Sequence, residues 1–281
     1  MSAPDFVAVG HVTLDHFGDV VRPGGAALFA AVTAHRLGLS AAILTSHAAD
    51  FPLEAIPPQI EVVSLESAAT TVFEHRHRAG RRTLRLLSGA SPLAARDVPP
   101  DWRGAGLVML APVAAEVDPG LVEAFEDATI AAEGQGWLRA VGPDGVIGPR
   151  PWTPERGLLD RLQALFLSAE DVRGQESAML EWLQRLPLAV LTAGRAGALL
   201  YVNGERFEVR AHPARVVDAT GAGDVFAATF LVRYHLEDDP WEAAAAAACA
   251  ASLSLEAEGW AAVPDRGGLE AALAEYRAAA V

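Results

Sequence analysis

The chain has 281 residues, 51% of them hydrophobic, a net charge of -14 and one cysteine. That is enough to bury a full core, too acidic for a nucleic-acid-binding face, and unable to form an internal disulfide. All 22 basic residues are arginine, so a Walker A lysine and a lysine Schiff base are both excluded.

No apolar run reaches 18 residues free of charge, so no membrane-spanning helix is expected. The N-terminal "MSAPDFVAVGHVTLD" lacks the basic region of a signal peptide. These features predict a cytoplasmic protein with no membrane partner. Cys249, set in "AAAAAACAASL", reads as a small buried packing residue. The acidic surface still permits a phosphate ligand, because helix N-termini and a few arginines create local positive sites.

In chain order, "FVAVGHV" (6–12) reads as a buried strand, "GGAALFAAVTAHRLG" (24–38) as a helix closed by Gly38, and "SAAILTS" (40–46) as a second strand. "IEVVSLE" (60–66) reads as a third strand. "TTVFEHRHRAGRRTLRLLS" (70–88) alternates like an exposed hairpin turning at "AGR". There His75 and His77 read as members of a solvated strand and "RAGRR" as its tip, with Arg82 placed to reach over a bound substrate. "GLVMLAP" (106–112) returns to buried strand, and "LVEAFEDATIAAE" (121–133) is predicted helical. "QGWLRAVGPDGVIGPRPW" (135–152) carries a short strand and a glycine-proline turn. "ALFLSAED" (164–171) and "LAVLTAG" (188–194) end further strands, and "GALLYVNGERFEVRA" (197–211) is a hairpin turning at Asn203 and Gly204. "ARVV" reads as a short strand leading to a helix. An alanine-rich helix (240–257) and a terminal helix (265–279) follow.

Alternating β and α units predict a single α/β domain over 1–281, a three-layer αβα sandwich around a mostly parallel sheet. The polar hairpins at 12–22 and 70–88 do not fit that core and are assigned to a small β lid.

The most informative stretch is "VVDATGAGDVFAATF" (216–230). Gly221 and Gly223 let the backbone curl so that several N–H groups point one way at the start of a helix, which makes an anion hole. Asp224 follows in the first helical turn. A carboxylate there can take a proton from an attacking hydroxyl while the amides hold charge on a transferred phosphoryl group. Local chemistry also allows the plainer reading, that Asp224 caps a helix after a glycine turn. A dinucleotide site is set aside: "GAGDVF" has phenylalanine at the third glycine position, and the acids at 237–239 end a helix.

"VVDATGAGDVF" resembles the C-terminal signature of the ribokinase-like, PfkB-type carbohydrate kinases, and the resemblance extends along nearly the whole chain. It implies that Asp224 is the catalytic base and that Gly221, Ala222 and Gly223 supply the anion hole. "VAVGHVTLDHFGD" is similar to the first strand and lid strand, which implies that Asp15 grips acceptor hydroxyls. "RPGGAALFAAVTAHRLGL" resembles the glycine-pair segment, placing Gly24 and Gly25 against the acceptor. "LTAGRAGALLY" resembles the nucleotide-side strand, with Thr192 and Gly194 near the phosphates; Thr220 and Ser168 join them as ATP-binding residues. "FLSAEDV" resembles the N-x-x-E segment that organises Mg2+ and its waters, with Glu170 and Asp171 as the acids. Small residues at 244–251 and "AAVPD" (261–265) resemble the adenine slot.

The chain departs from the family pattern in three places. Phe29 stands where an asparagine often follows the glycine pair. Ser168-Ala169-Glu170-Asp171 replaces N-x-x-E. "QGWLR" replaces the D-x-N-x-R strand, with Arg139 keeping the arginine's role at the substrate. The resemblance implies an ATP- and Mg2+-dependent kinase acting on a hydroxyl of a sugar or sugar-like polyol. Two other readings stay open: a nucleoside or inositol-type acceptor, suggested by Phe29, and a non-catalytic sugar- or nucleotide-binding relative, suggested by the altered SAED segment. Lids of this kind pair across a homodimer, which makes "TTVFEHRH" the expected contact surface.

Overall fold

The structure is a computed structural model that describes residues 3–78 and 81–279, with the side chains of residues 77, 78, 81, 82 and 156 outside that description. The hairpin tip, the Arg82 side chain and the His77 side chain therefore lie outside the described residues.

The elements run β1 (Phe6–Val9), β2 (Thr13–Phe17), β3 (Val20–Gly24), α1 (Ala26–Arg36), β4 (Ala41–His47), β5 (Glu61–Glu66), β6 (Thr71–Arg78) and β7 (Arg81–Ser88). They continue with β8 (Leu107–Leu110), β9 (Thr129–Glu133), β10 (Arg139–Val141), β11 (Ile147–Pro149), α2 (Arg156–Arg161), β12 (Leu162–Ser168), α3 (Glu176–Leu183) and β13 (Leu188–Thr192). The chain closes with β14 (Ala198–Val202), β15 (Glu205–Val209), α4 (Ala222–Glu237), α5 (Pro240–Ser254) and α6 (Arg266–Ala278).

Nine strands form the central sheet in the order β15-β14-β13-β12-β9-β8-β1-β4-β5. All pairings from β13 to β5 are parallel, and the β14–β15 hairpin closes one edge antiparallel. Strand β1 shows why this is a three-layer fold. Phe6 and Ala8 enter one apolar cluster with α1, α4, α5 and α6, while Val7 and Val9 enter another with α2 and α3. A strand buried on both faces needs cover on both, hence its unbroken apolar run. Cys249 is buried in the first cluster, and burial pushes its thiol up to about 12.

A second sheet, ordered β3-β2-β6-β7, follows directly from the end of β1. Strand β2 pairs antiparallel with β3 and parallel with β6. The β10–β11 pair docks on β7, where the Leu86 N–H donates to Gly145 O.

Two expectations are corrected. Residues 121–133 are not one helix: Pro119–Ala124 is a 3-10 turn capped by Asp118, and Thr129–Glu133 is strand β9. The alanine-glutamate composition favours a helix, but pairing between β8 and β12 overrides that propensity. Residues 214–217 form no strand. They pair with no strand among the described residues, Val216 and Val217 are about half exposed, and the Val217 and Asp218 N–H groups donate to Leu255 O. Among the described residues, no helix is long and apolar enough to cross a membrane.

Candidate active site

A cleft of about 730 Å³ opens between the two sheets at the C-terminal ends of the parallel strands. Asp15, Gly25, Arg139, Ser168, Glu170, Asp171, Thr192, Gly194, Thr220, Gly221, Ala222, Gly223 and Asp224 all line it. Crevices outside the carboxyl ends of strands are where open α/β sheets bind ligands. Gly24 does not line the cleft. It lies behind Asp15, where a Cβ would come 2.3 Å from Oδ2.

The floor is the N-terminus of α4. Gly221 is its N-cap in the left-handed conformation (φ 80°), and the Val225 N–H donates to Gly221 O at 2.9 Å. The amides of the first turn precede that bond and are left for a ligand. The loop before the helix is pinned by Asp218, which accepts the Thr220 N–H at 2.9 Å and the Gly259 N–H at 3.3 Å, with Arg22 of β3 alongside at 3.3 Å. Burial works against the Asp218 charge, but these donors win and hold its carboxyl below the usual carboxylate range.

Beside the amides stands Asp224. Gln135 Nε2 lies 3.1 Å from Asp224 Oδ1 and 3.1 Å from Glu133 Oε2. Arg139 fixes that amide by donating from Nη2 to Gln135 Oε1 at 2.7 Å, and its Nη1 donates to Val113 O at 3.1 Å. Val113 is itself held by the buried Glu116, whose carboxylate accepts the Val113, Ala114 and His11 N–H groups. Burial raises the Asp224 carboxyl above its usual range, against the pull of Glu133, Arg139 and Gln135.

Across the cleft, Asp15 is 5% exposed and accepts from Thr13 Oγ1 at 3.0 Å. His75 is not solvated as expected. The face of β6 that carries Phe73 and His75 turns inward over the cleft. The His75 ring stacks on Phe17 at 4.4 Å, and its Nε2 lies 3.6 Å from Asp15 Oδ1. Gly25, at φ 103°, lets the chain pass against His11 O, where a Cβ would come within 2.3 Å. Phe29, Phe73 and Leu84 supply apolar wall.

At the other end, Ser168, Glu170, Asp171, Thr192 and Gly194 meet two arginines, Arg173 and Arg195. Ala248, Ala251, Ser252 and Leu255 form a slot of small and apolar side chains beyond them. Residues 261–265, expected in that slot, are not part of the cleft; two of their carbonyls, Ala261 O and Val263 O, accept from Arg36. Among the described residues, no group of three or more His, Cys, Asp or Glu could cage a metal. A Mg2+ held by one or two carboxylates, waters and phosphates needs no such cage, and Glu170 and Asp171 suit it. Burial, with Arg139 pulling the other way and Glu170 adding its own charge, raises the Asp171 carboxyl.

Sequence reasoning missed Glu133, His75, Arg173 and Arg195. The arginines had a signal: in a chain without lysine, a permanently charged side-chain cation meeting phosphate must be arginine.

Residues 163–266 match the pfkB family carbohydrate kinase profile. Inositol 3-kinase of Zea mays is 33% identical over 153 residues, 53% of this chain and 39% of that one; the chain thus spans less than half of that relative's length. Cytidine kinase of Thermococcus kodakarensis is 25% identical over 254 residues, 82% of this chain and 88% of that one. A solved pyrophosphate-dependent kinase of the ribokinase family, complexed with a pyrophosphate analog and myo-inositol, superposes with a TM-score of 0.77 at 21% identity, covering 95% of this chain and 99% of that one. At that identity the superposition establishes the fold.

Proposed function

We propose, for a chain that belongs to the ribokinase-like pfkB family of carbohydrate kinases, that it transfers the γ-phosphoryl group of ATP to a hydroxyl of a sugar or ring polyol. The observation that carries this reading is the juxtaposition of the α4 first-turn amides and the Asp224 carboxyl in one cleft, with Asp15 facing them. Asp15, beside Thr13 and His75, orients the acceptor hydroxyls. Asp224 takes the proton from the attacking hydroxyl as its oxygen bonds to phosphorus, and the bond from phosphorus to the leaving oxygen of the donor breaks. The amides of Gly221, Ala222 and Gly223 hold the charge that spreads over the transferring group. Mg2+ near Glu170 and Asp171 would offset phosphate charge.

ATP is favoured over pyrophosphate by the slot of Ala248, Ala251 and Leu255, an apolar surface suited to a base. Phe29, with Phe73 and Leu84 on the same lid sheet as Asp15, suits a ring with one apolar face and a hydroxylated edge, such as an inositol. A nucleoside acceptor is the second reading, favoured by the long match to a relative named cytidine kinase. Lid residues Val20, Val21 and Leu87, about half exposed, support a homodimer through the lid. The cytoplasm is the compartment that supplies such an enzyme with ATP.

The test is a product assay with Mg2+-ATP and with Mg2+-pyrophosphate across a panel of sugars, inositols and nucleosides. Acceptor-dependent formation of ADP and a phosphorylated ring alcohol is expected. Absence of acceptor-dependent turnover with either donor would sink the reading.

A further inference from the structure

One buried acid has no role in the chemistry above. Glu133 ends β9, is 4% exposed and does not line the cleft. Its Oε2 accepts from Gln135 Nε2, and its Oε1 is buried without a hydrogen-bond partner among the described residues. The same Gln135 nitrogen reaches Asp224, and the two carboxyls are close enough to hydrogen bond to each other. Two carboxyls in hydrogen-bond contact require one proton between them. An ionised Glu133 would instead bury a second negative charge beside the first, with one oxygen unserved.

The charged groups facing the pair are few. Arg139 reaches it from the segment after β9, and Asp15 reaches it from β2; Asp171, from the turn after β12, faces Arg139. One arginine does not neutralise two buried carboxylates with Asp15 nearby. We propose that Glu133 is a positioning residue: from behind the cleft, and together with Gln135, it fixes the Asp224 carboxyl as the proton-accepting half of a proton-sharing pair. This rests on Asp224 serving as the base.

Burial and the Asp224 charge raise the Glu133 carboxyl well above the usual range. Glu133 lies off the cleft with an unserved buried oxygen, whereas Asp224 faces the acceptor, so the shared proton is assigned to the Glu133 side. The Asp224 oxygens are then left with a single negative charge. When the acceptor O–H bond breaks, a new O–H bond forms on Asp224 and the pair becomes neutral as the charge passes to the donor's leaving oxygen. Asp224 later returns that proton to water.

The experiment compares wild type with Glu133→Gln and Glu133→Ala. It measures the pH profile of kcat and, independently of turnover, the infrared carbonyl band of a protonated carboxylic acid. In the wild type that band is present at neutral pH, and it is lost in Glu133→Gln. The glutamine keeps a neutral donor toward Asp224, so its kcat at neutral pH stays within about threefold of wild type, whereas Glu133→Ala loses about 10- to 100-fold, less than the ~10²–10⁴-fold a base supplies. Removing the donor raises the Asp224 pKa, so the acidic fall in the alanine profile moves to higher pH. Any fall in the wild-type profile that follows ionisation of Glu133 as pH rises is absent in Glu133→Gln. A band that is absent from the wild type or unchanged in Glu133→Gln, or a glutamine variant as slow as the alanine one, would overturn the proposal. The expected band with no turnover in the wild type would sink the kinase reading and uphold the carboxyl pair.

Discussion

The phenyl ring of Phe29, on α1, packs against the backbone of Gly221 so closely that a Cβ at 221 would come within 2.5 Å of three ring atoms. That ring props the turn before α4 besides walling the cleft. Gly221→Ala meets both that ring and a left-handed backbone, whose strain alone costs about 1–3 kcal/mol. We expect it to lower the unfolding midpoint and to reduce kcat. Adding Phe29→Leu should recover part of the stability, and the pair should be non-additive by about 0.5–3 kcal/mol in denaturant unfolding. Strict additivity would mean that the ring does not support the loop.

Asp224→Asn keeps the shape of the cleft and its amides but removes the proposed base. Turnover should fall about 10²–10⁴-fold. ATP affinity, measured by calorimetry, should change little, because the proposed phosphate contacts are the amides and arginines. Near-wild-type turnover would remove Asp224 from the proposed role.

Asp218 and Arg22 should differ in consequence. Arg22 is partly exposed and touches Asp218 and Glu258, and exposed ion pairs contribute about 0–1 kcal/mol. Asp218 accepts two backbone N–H groups that shape the loop before Gly221. Asp218→Ala is expected to reduce kcat well beyond Arg22→Ala. Equal losses in steady-state kinetics would show that the lid contact, and not the loop, is what matters.

Stability should also report the Glu133 proton. A carboxyl raised in the folded state binds its proton there more tightly than in the unfolded chain. Its contribution is full below the ordinary glutamate range and is lost as pH climbs toward the raised value. Thermal midpoints of the wild type should therefore fall, relative to Glu133→Gln, as pH rises across that window. Parallel curves would show that Glu133 is not raised.

The β and α alternation, the two-sided burial of β1 and the glycine turn before α4 were legible in the order of residues, because strand periodicity, apolar runs and left-handed backbone are local properties. Part of the cleft lining was legible too: Asp15, Gly25, Arg139, Glu170, Thr192 and the turn at 220–224 all line it, whereas Gly24 and residues 261–265 do not. Local reading misplaced 214–217 and 121–133 for one reason: a strand exists only where a neighbour offers a free edge. The valines paired with no strand, the Val217 amide going to Leu255 O, and an alanine-rich run between β8 and β12 became β9.

What the linear chain could not carry was every relationship across distance. Gln135 and Asp224 stand 89 residues apart yet meet through one amide, and Phe29 reaches Gly221 from another helix. His75 sits inside the lid beside Asp15 because of how β6 pairs with β2. The electrostatics of the site belong to the same class. A carboxyl's proton affinity depends on burial and on which charges the fold brings near it, and at Glu133 and Asp224 both were decided by the packing of β9 against α4.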